Sequence, residues 1–284
     1  MGIHRTWQFW GWQIARRILF VYIGLVVLGV LLQRYLIYFP SRAREDELLQ
    51  LSKGNGLHPW RDRARRLIGW RTSLPDVFPK PRNRLVVFHG NAGYALHRRY
   101  YVDGFRSIPD GPAAWEIFLF EYPGYGARTG PRNEESIATA AGQAIKELRQ
   151  EDSRPIYLVG ESLGSGFSSR LAAENPESVA GLFLVTPLTC LADVAASHYP
   201  ILPVRWMLRE RHDAQANLKQ FPGPVAFLVA GRDEVMKNNL GEKLFRQYEG
   251  RKKLWRQPEA GHNTLDFSVG SPWWREVSDF MEHP

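Results

Sequence analysis

Gly160-Glu161-Ser162-Leu163-Gly164 sets a serine between two glycines, each two residues away. Apolar Ile156 to Val159 precedes it and a helical pattern follows. A sharp strand-to-helix turn lifts a hydroxyl above a sheet, and small residues on both sides avoid clashes there. The helix beginning at such a turn points its first amides at any oxyanion that develops. A serine hydroxyl is a weak nucleophile until a base takes its proton. Eight histidines are available. His4 and His283 are terminal; His58, His97 and His212 sit among charged residues and read as surface positions; His198 lies in an insertion. His262, in Ala260-Gly261-His262-Asn263 after the last apolar strand, is the candidate base. A carboxylate must then fix the imidazole tautomer and balance its charge. Asp233 in Gly231-Arg232-Asp233-Glu234-Val235 follows another apolar strand, with Glu234 beside it as the rival. His89-Gly90-Asn91-Ala92-Gly93 follows a third. There the Asn91 N–H, with the Leu163 N–H after the serine, is expected to form an oxyanion hole, while His89 orients the loop. Taken singly, each of these pieces also reads as a plain glycine-rich turn.

The elements that must carry these residues alternate along the chain. Strands are expected at Leu67 to Thr72, Leu85 to Phe88, Ile117 to Phe120, Ile156 to Val159, Leu182 to Val185, Val225 to Val229 and Lys253 to Gln257. Most are continuous apolar runs, as in strands covered on both faces. Helices fit between them. Glu134 to Glu151 repeats apolar residues at Ile137, Ala141, Ile145 and Leu148, a 3.6-residue spacing. Ser165 to Glu174, Leu240 to Tyr248 and Trp273 to Met281 complete the set. The alternation predicts an α/β fold with a mostly parallel sheet and helices on both faces. An apolar insertion at 188–221, rich in Tyr199, Ile201, Leu202, Val204, Trp206, Met207 and Leu208, breaks the rhythm and is expected as a small lid that could line an acyl channel, dip toward a bilayer or pack on its own domain. Residues 65–284 are thus expected as one catalytic domain. Residues 41–64 form a connector with a short helix near Glu45 to Leu51, and residues 1–40 a separate N-terminal piece.

The first 44 residues hold most of the net charge. The 284 residues carry a formal charge of +8. Such a balance suggests a nucleic-acid or membrane-surface protein. Six arginines and no acidic residue or lysine lie between Met1 and Arg44, so the rest is nearly neutral and does not read as a nucleic-acid binder. Ile18 to Leu32 is an uncharged apolar run, and Tyr35 to Phe39 extend it past Gln33 and Arg34. At about 1.5 Å per residue, 18–39 covers roughly 33 Å, against a hydrocarbon core of about 30 Å. Trp7, Trp10 and Trp12 precede the run, and Tyr35 and Tyr38 follow its centre, as membrane interfaces favour. The segment reads as an N-terminal transmembrane helix, Arg34 reaching for one surface, and the protein as single-pass. A cleaved signal peptide and a buried core helix are the competing readings. Arginines flank both ends, so the side of the membrane taken by the domain stays open. The lone Cys190 excludes an intrachain disulfide.

The motifs together resemble the α/β-hydrolase superfamily, closest to membrane-anchored serine hydrolases of the abhydrolase-domain type. The shared pieces are His89 to Gly93, Glu121-Tyr122-Pro123-Gly124-Tyr125-Gly126, Gly160 to Ser165, Gly231 to Val235 and Gly261 to Asn263, in the family's order of serine, acid, histidine. The chain has Glu121-Tyr122-Pro123 where the family often has Asp-Tyr-Arg, and Met236-Lys237 where a proline often follows the acid. The resemblance implies ester or thioester hydrolysis through an acyl-enzyme on Ser162, with His262 moving the proton and Asp233 orienting it. It implies no cofactor and no metal. The anchor and the apolar insertion suggest a lipid-derived or other small acyl ester as the partner. A serine peptidase of the same fold, or a membrane-tethered binding module, are the alternatives.

Overall fold

The computed structural model describes residues 3–73, 81–109, 114–237 and 239–283, with no side chains for residues 3–9. Trp7, expected at a membrane edge, therefore has its side chain outside the described residues. The chain opens on a 35-residue helix, Ile3–Ile37 (α1). Its stretch Trp10–Ile37 is long and apolar enough to cross a membrane, with a mean hydropathy of 2.2 over its most apolar window. It ends two residues before the expected limit of the span. Phe39–Pro40 form instead a short strand (β1) paired in parallel with Ala92–Gly93, a strand that follows in the loop after the third sheet strand.

Beyond β1 come helix Glu45–Gly54 (α2) and strands Leu57–Arg61 (β2), Leu67–Thr72 (β3) and Asn83–Phe88 (β4). Ala92–Gly93 is β5; helix Arg99–Ser107 (α3), strand Trp115–Phe120 (β6) and helix Glu134–Glu151 (α4) follow. Strand Ile156–Glu161 (β7), helix Gly164–Glu174 (α5) and strand Val179–Val185 (β8) lead to the insertion. That insertion holds Leu191–His198 (α6), Val204–Met207 (α7) and Ala214–Leu218 (α8). Strand Val225–Ala230 (β9), helix Leu240–Gln247 (α9), strand Lys252–Gln257 (β10) and helix Pro272–Glu282 (α10) end the fold.

The central sheet has eight strands in the order β10-β9-β8-β7-β4-β6-β3-β2, parallel from β10 to β6. Only β3 runs against its neighbours β6 and β2. Strand residues alternate between two cores, because successive side chains point to opposite faces. Val86, Phe88, Leu158, Leu184 and Phe227 join Ile137, Ile145 and Phe167 of α4 and α5 on one face. Leu85, Val87, Val159, Phe183 and Leu228 join Tyr101 and Phe105 of α3 and Trp274 of α10 on the other. This double covering is why most strands read as unbroken apolar runs.

One strand differs from the expectation. Leu57–Arg61, in the stretch expected as a connector, is the edge strand β2. Leu57 and Trp60 are buried, while His58 and Arg61 face solvent. Leu57 and Trp60, three residues apart, point to opposite faces and join different cores, so with a proline between them the five residues show no period-two alternation.

Trp274 locks α10 over the sheet. It is fully buried, with Phe105 5.2 Å away between ring centres, and any side-chain carbon on Gly104 would collide with it. Trp274→Ala is expected to cost about 3–5 kcal/mol and lower the midpoint of thermal unfolding by roughly 10 °C, read in detergent micelles.

Candidate active site

The serine sits at the C-terminal end of β7, near the middle of the sheet. Ser162 has φ +52°, a left-handed conformation that a non-glycine residue adopts only at a cost. Both flanking glycines are there for space. A side-chain carbon on Gly164 would strike the Phe88 carbonyl of β4, and one on Gly160 would strike the Ser168 hydroxyl. The strained turn is fixed by Ser162 N–H donating to Val185 O at 2.9 Å. Ser165 N–H and its hydroxyl both donate to Ser162 O, at 3.0 and 2.6 Å.

The other two candidates reach the serine from the ends of β9 and β10. His262 Nε2 lies 2.9 Å from Ser162 Oγ. Its Nδ1 lies 3.0 and 2.9 Å from the two carboxylate oxygens of Asp233. Asp233 Oδ1 also accepts from the N–H groups of Val235 at 3.0 Å and Met236 at 2.7 Å. The side chains of His262 and Asp233 are only 8% and 9% exposed, so their pairing is largely shielded from water. Glu234, the rival acid, takes a different place: its Oε2 accepts the backbone N–H of His262 at 3.0 Å. The structure thus brings Ser162, His262 and Asp233 into one hydrogen-bonded line, with Glu234 holding the histidine loop from behind.

The loop after β4 runs beside the serine. A carbon added to Gly90 would come within 3.6 Å of Ser162 Cβ. Asn91 follows, its carbonyl accepting from Phe39 N–H at 2.9 Å and Tyr125 OH at 2.7 Å. Leu163, the other expected donor, is buried at the head of α5. His89 is buried, its Nδ1 donates to Gly90 O at 2.8 Å, and its ring stacks on Tyr122 at 3.9 Å. Burial, with the charge of Arg98 nearby, pushes its pKa down to about 3, so it stays neutral.

Several supporting residues lay outside the sequence reading. Glu161, next to the serine, is bound by Arg98 Nη2 at 2.8 Å, by Tyr100 OH and by Tyr101 OH at 3.2 Å. Burial alone would raise its pKa, but the Arg98 charge and the hydroxyls outweigh it and hold the carboxylate below its usual range. Glu121 accepts from Ala95 N–H at 3.1 and 3.2 Å beneath the Asn91 loop. Burial pushes its pKa up to about 8. Both glutamates were in the quoted motifs; what was missing was any sign of their distant partners.

The raised Glu121 value has a sign. The unfolded carboxyl titrates near 4.5 and the folded one near 8, so folding takes up a proton between them. Its contribution to stability is present below 4.5 and is lost as the pH rises through 8. Glu121→Gln is expected to flatten that loss, which thermal unfolding followed across the same window will read.

His212 departs from its surface reading. It is completely buried. Its Nε2 lies 2.9 Å from Tyr38 OH, and its backbone N–H donates to Glu134 Oε1 at 2.9 Å. Glu134, Glu210 and His212 could by proximity hold a cation. Their oxygens are already taken, however, by Arg34, Tyr38 and the N–H groups of residues 134, 211 and 212. The cluster fastens α1 to the insertion.

Comparison with known proteins follows this geometry. A family model described as the alpha/beta hydrolase fold matches residues 83–234. Rv2307c, an uncharacterized protein of Mycobacterium tuberculosis, is 31% identical over 257 residues, covering 87% of this chain and 88% of that one. The lysophosphatidylserine lipase ABHD12 of Danio rerio is 26% identical over 180 residues, 57% of this chain and 46% of the lipase. Among solved structures, an esterase of Pyrococcus furiosus superposes with a TM-score of 0.62 at 13% identity, over 87% of this chain and 97% of the esterase. That likeness speaks to the fold alone. With the sheet order, the strained serine turn and the family match in agreement, this chain belongs to the α/β hydrolase fold family.

Proposed function

We propose that the protein is a membrane-anchored serine hydrolase that cleaves carboxylic esters or thioesters of lipid-derived acyl chains. One observation carries it: Ser162 Oγ, His262 Nε2 and Asp233 stand in hydrogen-bonded sequence at 2.9–3.0 Å. In this reading His262 Nε2 takes the hydroxyl proton as Ser162 Oγ attacks the acyl carbonyl. Asp233 keeps the Nδ1 proton in place and stabilises the imidazolium. The N–H groups of Asn91 and Leu163 donate to the oxyanion and stabilise its charge. The tetrahedral intermediate collapses to an acyl-serine as His262 returns the proton to the leaving alcohol or thiol. Water, activated by the same nitrogen, then attacks the acyl-serine and releases the acid. The lipid part of the reading draws on the apolar helix α1 and on the named activity of ABHD12, a distant relative.

The test is a pair of measurements on the full chain in membranes. A fluorophosphonate probe should label the protein, and a short soluble ester and a lysophospholipid should both be turned over. Failure of the probe to label folded protein overturns the serine mechanism. Turnover of the soluble ester alone, even in detergent, overturns the lipid substrate. Release of the chain by alkaline carbonate overturns the anchor.

A further inference from the structure

The insertion between β8 and β9 does not rest only on its own domain. Residues 199–209 lie along α1. Tyr22 OH donates to Ile201 O at 3.0 Å. Gln33 Nε2 donates to Met207 O at 3.3 Å, and Gln33 Oε1 accepts from Arg209 N–H at 2.7 Å. A carbon added to Gly29 would come within 2.7 Å of Met207 Cε. From Tyr22 onward the helix residues that lose exposure are Tyr22, Val26, Gly29, Val30, Gln33 and Ile37, one row along a single face. From Tyr22 to Gln33 the contact runs roughly 16 Å along the helix. The remaining faces of this apolar helix are open. A lobe that flanks the helix over such a length lies at the same depth as the helix does.

The lobe is suited to that depth. Tyr199, Ile201 and Trp206 are 60%, 82% and 92% exposed. The tip Tyr199-Pro200-Ile201-Leu202-Pro203 has no charge, and no acidic residue occurs from 199 to 209. Arg205 and Arg209 are the lobe's charges, and Arg205 is paired with Asp193 at 2.6 Å. Trp, Tyr and Arg beside aliphatics make up the composition of a lipid–water interface. Most of the lobe's backbone N–H groups, those of Ile201 and Arg205 excepted, are also satisfied within the protein. Tyr199 N–H donates to Ala195 O, Leu202 N–H to Tyr199 O and Val204 N–H to Leu202 O. Trp206 and Met207 N–H donate to Pro203 O, and Leu208 N–H to Val204 O. The two prolines have no N–H to satisfy. Backbone polar groups in hydrocarbon must be satisfied internally, a demand water does not make of a surface loop. The exchange is mutual, because the lobe's backbone also satisfies Tyr22 and Gln33, polar groups of the apolar helix.

We propose that residues 199–209 are a second membrane-inserted element, seated in the lipid leaflet beside the domain-proximal turns of α1. The same insertion reaches the candidate active site: His198 Nε2 lies 2.9 Å from Val235 O, two residues from Asp233. The insertion thus joins the proposed membrane-seated lobe to the loop that carries Asp233. The proposal rests on reading α1 as a membrane span.

The experiment uses the full chain with Cys190→Ser, reconstituted in vesicles of equal parts phosphatidylcholine and phosphatidylglycerol. An environment-sensitive nitrobenzoxadiazole dye is placed in turn on Ile201→Cys, Trp206→Cys, Leu25→Cys within α1, and Lys146→Cys on the exposed side of α4. Blue-shifted emission at 201 and 206, quenched by doxyl-labelled lipid as at 25 and unlike 146, is the expected result. Water-like, unquenched emission at 201 and 206 with lipid-like emission at 25 overturns this proposal alone. Blue-shifted but unquenched emission means that protein covers the lobe, and overturns it as well. Water-like emission at 25 overturns the anchor together with the inserted lobe.

Discussion

Ser162→Ala is expected to lower kcat for a soluble ester by about a millionfold, the loss seen when the nucleophile of such a triad is removed. What remains would be the residual of about 10³–10⁴ over water from oxyanion donors and binding. The substitution should leave the fold intact. Ser162 already stands at φ +52°, and alanine adds no bulk there. The bonds that fix the turn come from its backbone and from Ser165, which the change does not touch. KM should therefore move little while kcat collapses. Burst titration with an activated ester, beside an unfolding curve that matches the parent's, separates the two. Retention of more than a trace of turnover in a folded Ser162→Ala protein would place the nucleophile elsewhere.

Asp233→Asn is expected to cost about 10⁴ in kcat through the tautomer of His262. Asp233 Oδ1 accepts two backbone N–H groups, from Val235 and Met236. An asparagine here must keep its oxygen on that side, because its amide nitrogen cannot accept them. The nitrogen then takes the place of Asp233 Oδ2, 2.9 Å from His262 Nδ1, where it competes with the oxygen kept at 3.0 Å. A donor at that place selects the imidazole with its proton on Nε2, which cannot take the proton of Ser162. Glu234→Gln is the control. Its oxygen can still accept the His262 N–H, so the loss should stay within about tenfold. Equal losses from the two substitutions would mean that the acid's role is shared.

The sequence carried the parts whose physics is local. The strand before Ser162, the glycines around it and the helix after it are adjacent in the chain, so one stretch of sequence contains the whole turn. The unbroken apolar runs marked the sheet because both of its faces are covered. Parts that depend on distant partners were silent. Nothing near His212 indicates that Tyr38, 174 residues away, lies 2.9 Å from its ring. Its charged neighbours suggested solvent, yet two of the relevant acids turn inward to hold backbone N–H groups. Glu121 and Glu161 were visible as letters in motifs, but Ala95, Arg98, Tyr100 and Tyr101 come from the turn before α3 and from its first residues. β2 was missed because a five-residue edge strand whose two buried residues point to opposite faces shows no alternation and resembles a polar connector.

The pairing of Phe39–Pro40 with Ala92–Gly93 ties the first strand after the apolar helix to the loop beside Ser162. Asn91 O and Gly93 O take the N–H groups of Phe39 and Ser41, each at 2.9 Å. The apolar helix and the loop beside Ser162 therefore share a boundary with no slack in it. A protease or an engineer who trims the chain just past residue 41 would remove the apolar helix and strip the backing from that loop in one cut. A shed form that keeps its activity needs a cleavage point before Tyr38, within the apolar helix itself. On the proposed membrane anchoring, cleavage of an exposed stalk is thus a poor route to an active released form, because among the described residues no stalk separates the helix from the loop beside Ser162.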